Sequence, residues 1–470
     1  MSALLDASTA ALLARTKPLR DVILAAGGMP LIVGGAVRDA MCGKLSSDID
    51  IEVYQIDAEA LATALRSLGK VNQVGRAFGV LKLHTRDGNA YDLSIPRRDN
   101  RNPSGARGAI PPLDRAMTPR DAAARRDFTW NAMALTPTGQ LLDFFDGMGD
   151  LRTGTVRHVS DAFSDDPLRV LRAMRFAARF DMQLAPETAQ LCQTLLPRAA
   201  EIAVERAWGE WAKWALAPYP RAGLHALAES GWLALYPELE ALRGCQQQPD
   251  YHPEGDVWAH TGYVCAAATR IASHNDLDDH ERRVLLFAAL CHDLGKPQTT
   301  VLANGRLRSH GHAQAGGQPT RALLKRIGAP QTLISTVLPL VHEHMGHYGT
   351  QPTPRTIRRL AARLAPATIA QWAQLVEADH SGRPPLAAHN PAEPFSTLAR
   401  VIDVIDGPPA PILSGRDLIA AGYAPGPALG GTLRQAYTAQ IDGAFETADE
   451  GLHWLALHNS APDRTDTPSN

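Results

Sequence analysis

Leu31-Ile-Val-Gly-Gly-Ala-Val-Arg-Asp39, followed by Asp48-Ile-Asp-Ile-Glu-Val53, is the stretch from which the rest of the chain is read. An apolar run enters a Gly34-Gly35 turn, and the residues behind it are able to start a helix. Residues i and i+2 of a strand share a face, so Asp48 and Asp50 are placed to hold one hard cation. Paired carboxylates with positions left for phosphate oxygens suit Mg²⁺. Glycines let backbone N–H groups come close to an anion. Phosphate and Mg²⁺ side by side imply phosphoryl or nucleotidyl transfer. Each signal alone is common: Gly-Gly follows many apolar strands, and Asp-x-Asp often marks only a solvated strand edge. Their order and spacing make the combination specific.

Length and composition narrow the class. A chain of 470 residues suggests about three domains. Hydrophobic residues make up 45%, enough for real cores, and no apolar run approaches the ~18 residues of a membrane span. Met1-Ser-Ala-Leu-Leu-Asp-Ala lacks a basic region followed by an apolar core, so no signal peptide is expected. Five cysteines (Cys42, Cys192, Cys245, Cys265, Cys291) are scattered and form no Cys-x-x-Cys, which points to a reducing cytoplasm and against structural zinc. The net charge of −2 does not advertise nucleic-acid binding. Of 47 basic residues only seven are Lys. A GC-rich coding sequence gives the same bias, but Arg is also the better fork for phosphates and base edges, so its clustering matters.

Residues 1–27 read as an N-terminal helix and 28–96 as alternating α/β structure. Strands are expected at Leu31–Val33 and Ile49–Tyr54, and helices at Ala36–Met41 and Asp57–Leu68, the latter with Asp57 as N-cap. Val80–His84 and Ala90–Ile95 read as a hairpin around Arg86-Asp-Gly-Asn89. Asp92 on its second strand is either a third metal-facing carboxylate or a polar strand residue. Residues 97–120, rich in Arg, Pro, Gly and Asn, read as a mobile basic loop. A capped helix is expected from Asp121, running on into apolar structure, and a turn-rich segment at Asp143–Gly154.

From about Asp161 long amphipathic helices take over. In Asp165-Asp-Pro-Leu-Arg-Val-Leu-Arg-Ala-Met-Arg-Phe-Ala-Ala-Arg179, Pro167 stands at a first helical position. Arg169, Arg172, Arg175 and Arg179 recur at three- and four-residue steps and form one stripe. Such a stripe is usually a solvated face; with Asp166 one turn before it, phosphates are the favoured partners. Histidines accumulate from Tyr251 onward, and the apolar helix Arg283–Cys291 ends in His292-Asp293 and a Gly stop. A buried His-Asp pair is costly unless it binds something. Residues 386–460 read as Ala-rich helix and the last ten as disordered.

Gly34-Gly-Ala-Val-Arg-Asp39 with Asp48-Ile-Asp50, then Arg125-Arg-Asp-Phe-Thr-Trp-Asn-Ala132, then Asp166-Pro-Leu-Arg-Val-Leu-Arg-Ala-Met-Arg-Phe176, resemble the successive motifs of bacterial tRNA nucleotidyltransferases (CCA-adding enzymes) and their poly(A) polymerase relatives. His260, His292-Asp293 and Asp379 resemble the ligand series of an HD phosphohydrolase domain. The resemblance implies an α+β fold: a nucleotidyltransferase α/β head with a mixed sheet over 28–160, a helical neck over 161–245, a helical HD domain over 246–385, and a helical C-terminal region over 386–470. Two departures stand out. Trp130 replaces a small aliphatic residue, and Leu93-Ser-Ile-Pro-Arg-Arg98 behind Asp92 matches loosely.

The resemblance assigns two Mg²⁺ ions to Asp48 and Asp50, with Asp92 as third carboxylate, for a two-metal displacement. It places Gly35, Arg38 and Arg126 at the triphosphate, Asp166 and Arg169 at the base, and Arg172 and Arg175 at phosphates. Cytosine and adenine each show an amine donor beside a ring-nitrogen acceptor, so a carboxylate and a guanidinium pair with both. Uracil and guanine reverse the pattern and leave charges unpaired. In the HD segment His260, His292, Asp293 and Asp379 suit a divalent metal such as Mg, Mn or Ni, and His310 or His312 with His342 or His344 offer a second. In related enzymes such a domain removes 2′,3′-cyclic or 2′-phosphates from RNA ends. The expected partners are the tRNA 3′ end, ATP and CTP, with no membrane and no obligate protein partner. CC-adding, A-adding and poly(A)-adding enzymes share these motifs, and an RNA-end phosphohydrolase with an inactive head is a further alternative. Near-neutral charge argues against a generic poly(A) polymerase, and intact Asp48 and Asp50 argue against an inactive head.

Overall fold

The alternation Ile49-Asp-Ile-Glu-Val53 makes a strand with one apolar and one acidic face. It becomes an inner strand of a seven-stranded sheet. The computed structural model describes residues 2–74, 80–96 and 117–458. Residues 97–116 of the expected basic loop and the last ten residues lie outside that set. By contacts the chain divides into two units: Met1–Ile202 with His225–Trp232, and Ala203–Leu224 with Leu233–Asn470.

The first unit opens with α1 (Ser2–Ala25), β1 (Met29–Val33), α2 (Gly35–Met41), β2 (Ile49–Tyr54) and α3 (Ala58–Leu65). Asp57 caps α3 as expected, its carboxylate accepting from the Glu59 and Ala60 amides at 3.1 and 2.8 Å. Three strands follow, β3 (Gly69–Val74), β4 (Val80–Thr85) and β5 (Ala90–Ser94), then α4 (Pro119–Ala124), β6 (Ala134–Leu135), β7 (Leu141–Leu142), α5 (Gly147–Thr153) and α6 (Leu168–Phe180). The sheet order is β3-β4-β5-β2-β1-β6-β7. β2 and β5 run parallel and the other neighbours antiparallel, so the sheet is mixed. Ile49, Ile51, Val53, Leu83 and Leu93 are buried together beneath it, which leaves Asp50, Glu52 and Asp92 on the opposite face.

Three local expectations change. β3 was not anticipated, because Lys70-Val-Asn-Gln-Val74 alternates too weakly to stand out from a loop. The helix before the second motif is capped by Thr118, not started by Asp121: the two form a reciprocal capping box, and α4 stops at Ala124. Arg125–Asp127 then form a turn and Thr129–Asn131 one 3₁₀ turn. Gly147–Thr153 is helical where turns were expected. α6 buries Leu168, Val170, Leu171, Met174 and Phe176 on one side and carries the arginine stripe on the other.

In the second unit the helix Val257–His274 packs against Asp279–Cys291 and Ile369–Ser381, and Gln331–Glu343 joins them. A hairpin of Val301–Ala303 and Arg306–Arg308 stands between these helices in sequence. Farther on, Leu413, Leu418, Ala436, Phe445 and Leu455 form a small core of their own. Among the described residues no helix is long and apolar enough to cross a membrane.

Candidate active sites

The head site is assembled where β1 ends. Gly34 takes φ +71°, a left-handed conformation that favours glycine, and a Cβ there would sit 2.9 Å from Arg126 Nη1 and 3.5 Å from Asp50 Oδ2. The turn, the arginine and the carboxylate therefore meet. Asp50 lies opposite Val33 of β1 and opposite Asp92 of β5. Asp48, exposed, immediately precedes β2. Burial raises the Asp50 pKa, Arg126 lowers it, and the negative charges of Asp92, Asp48 and Glu52 raise it again. A carboxyl whose neighbours oppose its charge is suited to a divalent cation. Lys82 stands 3.1 Å from Asp92.

Arg126 is held by residues that motif reading did not select. Its Nη2 donates to Glu52 Oε1 at 2.5 Å and its Nη1 to the Asn131 carbonyl at 3.3 Å. Glu52 is the next same-face residue after Asp50, and strand periodicity was the signal for it. Arg38 lies deeper than a triphosphate contact requires, 3% exposed. It donates to Asp39 Oδ1 from Nε and Nη2 at 2.8 and 2.6 Å, and to Asn131 Oδ1 at 2.7 Å. Its guanidinium carbon is 4.9 Å from the Phe180 ring centre and 5.4 and 5.7 Å from those of Phe176 and Trp130. Gly35 lies beneath it: a Cβ there would be 3.4 Å from Arg38 Nη2.

On α6, Asp166 Oδ1 accepts from the Leu168 amide at 3.1 Å. Arg169 is fixed by two carbonyls, those of Ala162 and Arg125, at 2.6 and 2.9 Å. Arg172 donates twice to Asp127 Oδ2, at 2.9 and 2.6 Å. Burial pushes the Asp127 carboxyl up, but Arg172, Asn131 and the Phe128 amide bring it below the usual carboxylate value. Arg175 lies 3.8 Å from the Phe176 ring centre, and Arg179 is 3.3 Å from Asp39 Oδ2. The stripe is thus partly a set of clamps to the head.

The HD site is assembled at helix ends. Asp256 caps the helix that carries His260, and an Asp278–Glu281 capping box starts the one that delivers His292. A Cβ on Gly295 would stand 2.1 Å from the His312 carbonyl, so glycine alone permits the approach of these two segments. His260, His292, Asp293, His312, His344 and Asp379 are all buried. His292, His312 and His344 donate Nδ1–H to the carbonyls of Ala289, Ser309 and Val341 at 2.8, 2.7 and 2.7 Å. His260 Nδ1 faces Glu254 Oε1 at 2.7 Å. In a neutral ring whose Nδ1 carries the proton the lone pair sits on Nε2, and it is Nε2 that faces inward here.

These lone pairs face one another, at 3.3 Å between His260 and His292 and 3.1 Å between His312 and His344. Opposed lone pairs repel unless a cation lies between them, and the donor set fits a metal. Asp293 spans the two pairs: Oδ2 is 3.2 Å from His292, and Oδ1 is 3.4 Å from His312. Asp379 Oδ1 joins the first pair, 3.1 Å from His260. Burial raises its pKa, but Arg383 at 2.7 Å, with His260 and His292, holds it well below the carboxylate range. Burial, with His292 and His312, pushes His344 down to about 3, which keeps its ring neutral. Of the alternatives, His312 and His344 enter the cluster; His310 lies exposed at the cavity rim, and His342 lies against Gly317. Glu254 and Lys296, the latter 2.6 Å from Asp293, carried no sequence signal strong enough to select them.

Models of known families match three stretches in order: the poly A polymerase head domain over residues 31–157, the "Probable RNA and SrmB- binding site of polymerase A" over 181–242, and the HD domain over 257–407. The Multifunctional CCA protein of Xanthomonas campestris pv. campestris (strain B100) is 35% identical over 422 residues, covering 87% of this chain and 97% of that protein. This chain belongs to the multifunctional CCA protein family. The Xylella fastidiosa (strain M23) Multifunctional CCA protein is 37% identical over 367 residues, 75% of this chain and 83% of its own. The fold of the family recurs in the Bacillus stearothermophilus CCA-adding enzyme in complex with CTP (TM-score 0.63, 21% identity, 94% and 96% of the two chains). It recurs also in the Thermotoga maritima CCA-adding enzyme complexed with tRNA (TM-score 0.56, 20% identity, 95% of each). The α+β head and helical HD architecture expected from the motifs is therefore that of the family.

Proposed function

We propose that this chain adds or repairs the 3′-terminal CCA of tRNA from CTP and ATP without a nucleic-acid template, and that its HD site hydrolyses phosphate esters at RNA ends. The observation that carries the reading is the meeting of Asp50, Asp92 and Arg126 at the Gly34 turn. The relatives' name, Multifunctional CCA protein, supports it, as do CTP and tRNA in the titles of the solved enzymes. Five free cysteines agree with a reducing cytoplasm.

Asp48, Asp50 and Asp92 would hold Mg²⁺, which when bound neutralises triphosphate charge and makes the primer 3′-hydroxyl easier to deprotonate. The backbone of the Gly34-Gly35 turn leaves room for phosphate oxygens, and Arg126, braced by Glu52, supplies a positive charge beside it. Asp166 and Arg169 read the base edge, their positions set by the Leu168 amide and by two carbonyls. At the HD site the two histidine pairs and Asp293 would hold divalent metal, which when bound activates water for attack on phosphorus. Lys296 and Arg383 add positive charge next to Asp293 and Asp379.

The test offers purified protein tRNA ending before CCA, after C and after CC, with each nucleotide singly, and sequences the products. Ordered incorporation of C, C and A is expected. Long A tails, or addition restricted to one base, overturns the reading.

A further inference from the structure

The cavity above the HD cluster has a volume of about 540 Å³. That lies within the roughly 300–1,000 Å³ of sites that enclose a whole small molecule, more than a phosphate group needs. Its inner wall carries Lys296, engaged with Asp293 at 2.6 Å. Its outer wall is the hairpin of Val301–Ala303 and Arg306–Arg308, from which Arg306 and Arg308 line the cavity. Two apart on one strand, these arginines share a face. Both are exposed, and neither has an acidic partner among the described residues.

The hairpin is fixed relative to the metal ligands by two tethers. The Leu307 amide donates to Gln248 Oε1 at 3.1 Å, and the neighbouring Gln247 accepts from Lys296 Nζ at 2.7 Å. At the hairpin base the Thr300 and Ser309 hydroxyls bond at 2.8 Å, and the Ser309 carbonyl receives Nδ1–H of His312. Also lining the cavity are Tyr251 and Tyr348, 59% and 51% exposed. The Tyr251 ring is open to the cavity, and the Tyr348 ring is half exposed, packed on one side against His347 at 4.1 Å between ring centres. Aromatic surface beside a pair of unpartnered arginines has the chemistry that holds single-stranded nucleic acid, bases on rings and phosphates on cations.

We infer that Arg306 and Arg308 bind the phosphodiester on the 5′ side of the nucleotide whose phosphate is hydrolysed, with Tyr251 and Tyr348 as stacking surfaces for its base. The HD site thereby selects the end of a polynucleotide over a mononucleotide. This inference rests on the phosphohydrolase reading of the site.

The test compares kcat/KM of the full chain, supplied with divalent metal, on a nucleoside 2′,3′-cyclic phosphate and on a dinucleotide ending in the same group. The dinucleotide is expected to be preferred by about ten-fold, as one charge-assisted contact allows. Arg306→Ser with Arg308→Ser removes the preference and leaves mononucleotide hydrolysis unchanged, which also reports correct folding. Tyr251→Ala lowers both substrates together by about ten-fold. Equal rates in the unsubstituted protein, or a preference that survives the double substitution, overturns the inference alone. Hydrolysis of neither compound overturns the phosphohydrolase reading and this inference with it.

Discussion

Asp50 of β2 and Asp92 of β5 stand directly opposite each other across the parallel step of the head sheet. Their common face is imposed by register: a one-residue slip of β5 would bring Tyr91 or Leu93 opposite Asp50 and turn Asp92 away. Asp50→Asn and Asp92→Asn are each expected to lower nucleotide addition about 1,000-fold, the several kcal/mol of transition-state stabilisation that bound metal supplies. HD-site hydrolysis should be unchanged in both. Loss of both activities would show that the carboxylates act on folding instead.

Asp127 holds α6 through two bonds to Arg172. Its substitution by Ala is expected to destabilise the protein by about 3 kcal/mol, read by denaturant unfolding. Because its folded pKa is depressed, the stability it contributes is complete above the ordinary carboxylate value of about 3.9 and is lost as pH falls through the lower folded value. An Asp127→Asn protein should lack that acid-side loss. Equal acid dependence of the two proteins would contradict the assignment.

Arg169→Ala frees the carbonyls of Ala162 and Arg125 and, on the proposed reading, removes the donor to the base ring nitrogen. Discrimination of CTP and ATP against UTP and GTP is expected to fall by about 100-fold, measured as the ratio of kcat/KM values. A uniform fall for all four nucleotides would mean that Arg169 only supports α6.

Gly34→Ala places a methyl group 2.9 Å from Arg126 Nη1 at φ +71°. The backbone penalty is about 1–2 kcal/mol. The expected kinetic signature is a raised KM for nucleotide as Arg126 is displaced, and an unchanged KM would place Arg126 outside the nucleotide site.

At the HD site, metal content after dialysis separates the ligands. His292→Ala and His312→Ala should each lower it by one equivalent, and Asp293→Ala should remove both, since its two oxygens serve the two histidine pairs. A single equivalent in the unsubstituted protein would show that one pair is not a metal site.

Those residues whose chemistry is local in sequence were legible in it. Asp48-x-Asp50 and Gly34-Gly35 report a strand, a turn and a charge within 20 residues, and the Asp57 cap follows a rule of the same range. His292-Asp293 at a helix end was equally plain. Residues defined by what approaches them were not. Glu52 matters because Arg126 arrives from 74 positions away, and Glu254 because His260 turns its Nδ1 toward it. His310 and His312 were indistinguishable by spacing, and the Ser309 carbonyl decides between them by fixing the His312 ring. Likewise the stripe on α6 was visible as a period, but Asp127 and Asp39 determine that two of its arginines are clamps.

The Arg38 nest bears on how such a protein can be recombined. A cation on α2 is enclosed by Trp130 and by Phe176 and Phe180 of α6, while Trp130 Nε1–H reaches the Thr155 carbonyl at 3.1 Å. Trp130 thus supplies one wall of that nest. The head sheet and α6 are in consequence one inheritable block: a chimera joined between residues 135 and 165 that takes its head from a relative with a small side chain at the Trp130 position would leave Arg38 half enclosed and α6 loosely seated. Crossovers beyond Phe180 keep the block whole.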